Sequence, residues 1–325
     1  MKNNVTKLKN ANAPDPNDPN DPAWEPVRKA VREKIDQGVI TARKLAKESG
    51  NSDAALNQFL NGKYTGRNDL IADRLQAWLD THQRRMEAAR EIPDGPGFVF
   101  TPTANKITDT LTYAHMADDI VLIYGGAGLG KTEALREYAR NNSGVCLSTM
   151  TPAHATVATS LREIGKCVGV QPRRDNAALF DAICQGLGDA RGLLIIDEAQ
   201  HLGTKALDQI RSIHDRVGCG IALVGNEQVY GRMTGGTRAG YLDRLFSRIG
   251  MRTRITRATA NDASALAEAW GLTDSVAVKL IVDIARKPGG LRGVTKALRL
   301  AHMLSGGKPI EPKHIRAAWR RLGGD

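Results

Sequence analysis

The chain has 325 residues, enough for two or three domains at about 100–200 residues each, and 41% of them are hydrophobic, enough for a sizeable core. With 46 Lys and Arg against 35 Asp and Glu the net charge is +11 and the pI about 9.6, a balance that points to an acidic partner, nucleic acid foremost. Aromatic residues at 5% argue against a carbohydrate-stacking or aromatic-cage binder, the apolar runs are too short to span a bilayer, and none follows the first lysines to form a signal peptide.

Residues 1–23 are polar and repeat Pro, Asp and Asn from Pro14 to Pro22; such a segment cannot bury a core and is expected to be disordered. Residues 24–90 read as a small helical domain. Val27, Val31 and Ile35 recur at helical spacing, helices are expected near 42–49 and 52–61 with Ser52 as an N-cap, and a fourth over 69–90 carries Leu70, Ile71, Leu75, Trp78 and Leu79 as its apolar stripe. The stretch 91–97, with Pro93, Gly95, Pro96 and Gly97, reads as a linker. From 98 to 258 short apolar runs at 120–124, 145–148, 193–196 and 221–224 alternate with helical stretches, which predicts an α/β core with a parallel sheet covered on both faces. From 259 to 325 the chain returns to helices, expected over 263–270, 274–285, 291–304 and 312–322. Residues 277–325 hold 11 Lys and Arg against 3 Asp and Glu, most of the chain's positive excess. Cys146, Cys167, Cys184 and Cys219 lie far apart without metal-ligand spacing, so four reduced thiols in a cytoplasmic protein are expected.

The chemistry begins at residues 125–132. Gly125, Gly126, Ala127, Gly128, Leu129, Gly130, Lys131 and Thr132 fit the G-x-x-x-x-G-K-[ST] pattern, with an apolar strand before and a helical stretch after. The glycines let backbone N–H groups converge on phosphate oxygens at the positive end of a helix. Lys131 would reach the β- and γ-phosphates of ATP, and Thr132 would ligate Mg²⁺. The run 193–198 then delivers two carboxylates at the end of a strand. Asp197 would hold the Mg²⁺ and Glu198 would polarise the attacking water, a pairing suited to hydrolysis. A strand at 221–224 ends in Gly225 and Asn226; in P-loop ATPases of the AAA+ type a polar residue there senses the γ-phosphate. An arginine-rich stretch follows, comprising Arg238, Arg244, Arg248, Arg252, Arg254 and Arg257. AAA+ subunits supply one such arginine to a neighbour's γ-phosphate; Arg248 is the first candidate and Arg244 the second, while a solvated basic helix face is the plainer reading for some of the six. Arg292, opening a helix after Pro288-Gly289-Gly290-Leu291, is the candidate for a lid arginine above the nucleotide. Glu133, next to Thr132, completes the nucleotide-binding set.

Residues 45–63 read as a helix-turn-helix of the phage-repressor type, with Leu56, Phe59 and Leu60 inward and Asp53, Asn57 and Gln58 outward. Asn57 and Lys63 are its candidate DNA contacts, and Arg173 and Arg174 are candidates in the ATPase core. Few basic residues lie on the presumed recognition helix, which favours weak or non-specific DNA contact over base reading.

These motifs occur together with more particular stretches: Glu48-Ser49-Gly50, Gln76-Ala77-Trp78-Leu79, Gly130-Lys131-Thr132-Glu133-Ala134, Ile195-Ile196-Asp197-Glu198-Ala199, Met233-Thr234-Gly235-Gly236, Leu245-Phe246-Ser247-Arg248-Ile249 and Lys287-Pro288-Gly289. In these the chain, from about residue 41 to 300, resembles the phage Mu B family of AAA+ target-DNA activators. The resemblance implies an AAA+ ATPase core with a helical lid behind a helix-turn-helix domain. It further implies ATP-dependent helical filaments on double-stranded DNA, little sequence specificity, inter-subunit ATP sites, and recruitment and activation of a transposase in a bacterial host cell. The alternatives are an AAA+ helicase loader or replication initiator, and a helix-turn-helix repressor in which ATP is regulatory.

Overall fold

The computed structural model describes residues 14–91, 95–190, 192–234 and 239–324. The chain divides into two compact units, Met1–Ile92 and Pro93–Asp325.

The first unit is helical: α1 (Glu25–Asp36), α2 (Ala42–Ser49), α3 (Asp53–Leu60) and α4 (Asn68–Glu91). Val31, Leu45, Ala46, Leu56, Phe59, Ile71 and Leu75 form its core. The turn between α2 and α3 has Gly50 in the left-handed region at φ 69°, and Ser52 caps α3 by accepting the Ala55 N–H at 3.2 Å. Leu70, expected in the apolar stripe of α4, instead faces solvent at 45% exposure.

The Pro-Asp-Asn repeat departs from expectation. Residues 1–13 lie outside the described residues, but the repeat from Pro14 onward is folded. Asp15 accepts the Asn17 N–H and Asp18 the Asn20 N–H, while Asp21 accepts those of Asp15 and Ala23. The freed carbonyls then take donors from the domain: Trp24 Nε1 on Asp18, Arg28 Nη2 on Pro19 at 2.6 Å, and the Asn68 N–H on Pro16. Proline removes every second or third donor and aspartate satisfies neighbouring ones, so the tail needs little apolar surface to hold its turns.

The second unit opens with α5 (Pro102–Ala117), then β1 (Ile120–Gly125), α6 (Lys131–Asn141), β2 (Val145–Thr149), α7 (Val157–Val168), α8 (Asn176–Ala190) and β3 (Leu193–Asp197). It continues with α9 (Thr204–Val217), β4 (Gly220–Gly225), α10 (Glu227–Thr234), α11 (Ala239–Phe246) and β5 (Ile249–Ile255). The strands form one parallel sheet in the order β2-β3-β4-β1-β5. Alternation sends Val121, Ile123, Leu193, Ile195, Ala222 and Val224 to one core, and Ile120, Leu122, Leu194, Ile196, Ile221 and Leu223 to the other. That is the two-sided burial expected of a sheet between helical layers. Four helices complete the chain: α12 (Ala260–Ala269), α13 (Ser275–Arg286), α14 (Gly290–Ser305) and α15 (Pro312–Arg321).

Two further expectations change. Arg252 and Arg254 do not lie on a basic helix face. They stand on the solvent side of the edge strand β5, whose Ile249, Thr253 and Ile255 point inward. Of the four cysteines, Cys184 and Cys219 are free and buried, but Cys146 and Cys167 are paired as a disulfide. Helix α7 returns over β2 and brings their Cα atoms to 5.6 Å across a sequence separation of 21, which spacing alone conceals.

Candidate functional site

Strand β1 ends in Gly125, whose backbone runs so close to β5 that a Cβ would lie 1.8 Å from the Ile255 carbonyl oxygen. Gly128 and Gly130 adopt φ of 75° and 84°, which opens the loop before α6. Lys131, at the first turn of α6, folds back and donates from Nζ to the carbonyls of Gly125 at 2.9 Å and Gly126 at 2.7 Å. The Thr132 hydroxyl donates to Asp197 Oδ2 at 2.8 Å, and Asp197 Oδ1 accepts the Glu198 N–H at 2.9 Å. Two motifs 65 residues apart thus meet at the C-terminal ends of β1 and β3.

Burial lowers the pKa of Lys131, against the raising pull of Asp197 and Glu198. Burial likewise raises that of Asp197, against the Thr132 hydrogen bond that lowers it. A phosphate beside Lys131 and a cation beside Asp197 would each oppose the effect of burial and favour the charged form. Glu198 holds φ 56° and ψ 37°, a left-handed conformation that costs a non-glycine residue about 1–2 kcal/mol.

A cavity of about 670 Å³ adjoins the loop. Ala127, Gly128, Leu129, Gly130, Lys131, Thr132, Glu133, Glu198 and Arg292 line it among others, so most of the expected nucleotide-binding set converges there. Gly125 and Gly126 form the turn beneath, and Asp197 lies behind Thr132 with 2% exposure. The lid touches the loop through backbone: the Arg292 N–H donates to the Gly128 carbonyl at 3.1 Å. The far wall was not anticipated. It comprises Val99, Thr101 and Ala104 at the start of the unit, Leu266 of α12 and Trp270 just after it, and Lys296 and Arg299 of α14. Lys296 and Arg299 follow Arg292 at helical spacing, so periodicity on α14 could have found them.

Other expected residues lie elsewhere. Asn226 follows β4; its Oδ1 accepts the Gln228 N–H at 2.9 Å and so serves the start of α10, while its own N–H donates to Gln200 Oε1 at 3.2 Å. Arg248 is not on the cavity wall; its Nε donates to Asp215 Oδ1 at 2.6 Å, and Asp215 also receives Arg211. Arg244 is exposed on α11, and Arg238 lies outside the described residues. Arg173 and Arg174 occupy the exposed segment before α8, where Arg173 borders a separate hollow with Asp181 and Arg216. Asn57 and Lys63 are exposed on and just beyond α3, as are Asp53 and Gln58. Gln200, which the sequence reading passed over, is buried between Glu198 and Asn226. No helix among the described residues is long and apolar enough to cross a membrane.

Comparison with known proteins gives two family matches. Residues 114–233 match the AAA domain, and residues 247–322 match the C-terminal domain of the Mu B transposition protein. The chain is 37% identical over 300 residues to the ATP-dependent target DNA activator B of Escherichia phage Mu, covering 91% of this chain and 95% of that protein. The same figures hold for the activator of that name from Escherichia phage D108. Identity is 36% over 270 residues to the Mu-like prophage FluMu DNA transposition protein B of Haemophilus influenzae, covering 82% and 93% of the two chains.

Proposed function

The chain belongs to the Mu B family of transposition proteins, and from that premise we propose that its ATPase works as an assembly switch on DNA. ATP would link neighbouring subunits on double-stranded DNA with little regard to sequence, and hydrolysis would release them. The assembled protein would recruit and activate a transposase inside the bacterial host cell.

The observation that carries this reading is the division of charged groups around the cavity. Lys131, Thr132, Asp197 and Glu198 converge at one end of the sheet, whereas Arg248 stands outside that cavity, 40% exposed and paired with Asp215. In the bound state Lys131 would leave the Gly125 and Gly126 carbonyls for phosphate oxygens. The hydroxyl of Thr132 and the carboxylate of Asp197, 2.8 Å apart, are hard oxygen donors of the kind Mg²⁺ takes. Mg²⁺ there would neutralise charge developing on the phosphates. Glu198 would accept a hydrogen bond from the attacking water, Asn226 would sense the γ-phosphate, and Arg292 would approach from the lid. Arg248 would serve the site of the next subunit. For the DNA side, the net charge of residues 277–325, together with Arg173, Arg174, Asn57 and Lys63, offers phosphate contacts rather than base readers.

Lys131→Ala is the direct test. The variant should lose nucleotide affinity by about two orders of magnitude and show no ATP-dependent binding or filaments on random-sequence DNA, by filter binding and electron microscopy. Unchanged ATP-dependent binding would sink the switch. A repressor would instead discriminate one site from random DNA by roughly 10³-fold or more in the same assay.

A further inference from the structure

Between the candidate water-polarising carboxylate and the turn that follows β4 lies one buried amide. Gln200 is 7% exposed. Its Nε2 donates to Glu198 Oε2, and its Oε1 accepts the backbone N–H of Asn226 at 3.2 Å. The orientation of the amide is fixed by chemistry. A carboxylate only accepts and an N–H only donates, so the two ends of Gln200 cannot exchange places. The surroundings are shaped around it. A Cβ on Gly225 would sit 2.4 Å from Gln200 Oε1 and 2.5 Å from Val229 Cγ2, so glycine at that position leaves the room the amide occupies. Glu198 itself holds a left-handed backbone conformation, and the single turn Ala199–His201 follows it, with the His201 N–H on the Glu198 carbonyl at 3.0 Å. That turn brings a side chain two positions along the chain back onto the carboxylate.

We infer that Gln200 is a positioning residue for ATP hydrolysis: it holds one oxygen of Glu198, leaves the other for water, and ties that orientation to the turn at Asn226. A movement of the β4–α10 turn, where the γ-phosphate would be sensed, is thereby transmitted to the carboxylate through one side chain. No other natural side chain of this length offers a donor at one end of the fork and an acceptor at the other. Glutamate in its place would keep the acceptor for Asn226 and oppose Glu198 with a second carboxylate. Leucine would fill the volume and lose both bonds. The inference rests on Glu198 being the group that polarises water, as proposed above.

The test compares Gln200→Glu, Gln200→Leu and Glu198→Gln in the full-length protein. For both Gln200 variants kcat should fall by about 10- to 100-fold, with KM and the dissociation constant of a fluorescent ATP analogue within about threefold of the parent. Hydrogen exchange supplies a readout independent of turnover. The Asn226 amide should be protected in the parent, stay protected in Gln200→Glu, and exchange faster in Gln200→Leu, while the amides of β1 and β3 keep their protection. A purely structural role would instead weaken nucleotide affinity along with kcat and loosen the strands. The inference is overturned if kcat in Gln200→Glu stays within about threefold of the parent or rises. It is equally overturned if the Asn226 amide is unprotected in the parent. Glu198→Gln separates the two readings: turnover retained there removes the role given to Glu198, whereas turnover lost there but kept in the Gln200 variants removes only the role given to Gln200.

Discussion

Asp262 has no solvent exposure yet keeps its charge. Burial alone would raise its pKa, but hydrogen bonds from the N–H and hydroxyl of Thr103 and of Thr259, at 2.7–2.8 Å, outweigh that and bring it below the usual carboxylate range. One side chain thus fastens the first turn of α5 to that of α12, two elements that both contribute to the cavity wall. Asp262→Asn would turn an amide nitrogen toward donors and should cost about 2–4 kcal/mol in urea unfolding. The sign of the pH dependence follows from the lowered value. The stabilisation is present above the unfolded carboxylate pKa, about 3.9, and is lost as pH falls through the folded one; the parent should lose this increment on acidification and the variant should not. Sequence alone could not show this residue's role, because Thr103 is 159 positions away and no motif announces the pair. Thr132 and Asp197 are also distant, 65 positions apart, but each sits in a pattern whose chemistry names its partner. Gln200 lies between these cases: it is adjacent to a legible motif, yet its function depends on how Glu198 turns.

At the level of elements, the loop before α6 and the turn before α14 touch through backbone. A Cβ on Gly128 would lie 2.2 Å from the Gly289 carbonyl oxygen, and φ at Gly128 is 75°. Gly128→Ala should therefore lose at least about 2 kcal/mol and lower Tm by about 4–8 °C, with weakened ATP binding, in a thermal melt with and without nucleotide. Gly130 has a similar φ of 84° but open space around it, so Gly130→Ala should lower Tm less, by the backbone term alone. The glycines were legible as phosphate-loop residues; the lid contact was not, since it depends on where α14 packs. Strand β5 was hidden for another reason. Its outward Arg252 and Arg254 belong to a run of arginines that reads as a basic face, although Ile249, Thr253 and Ile255 keep the period of two. The folded repeat at residues 14–21 was concealed because composition registers its lack of apolar residues and not the Asp-to-backbone bonds that replace them.

For the whole molecule, the central claim is that each ATP site is completed by a neighbour. Four of the five strands and the phosphate loop were readable from apolar runs and motif spacing, and so was the separation of a helical domain from the sheet-containing one. The position of Arg248, outside the cavity and donating to Asp215 of α9, was legible only in the structure. The measurement that tests this most directly mixes two inactive proteins. Arg248→Ala should bind ATP as the parent does but lose about 10³-fold in DNA-stimulated turnover, and Glu198→Gln should do likewise. In a mixture, interfaces that pair the intact Glu198 of one subunit with the intact Arg248 of the next should hydrolyse ATP, with activity peaking near equal proportions. No recovery at any ratio, with both variants still assembling on DNA, would contradict a site shared between subunits.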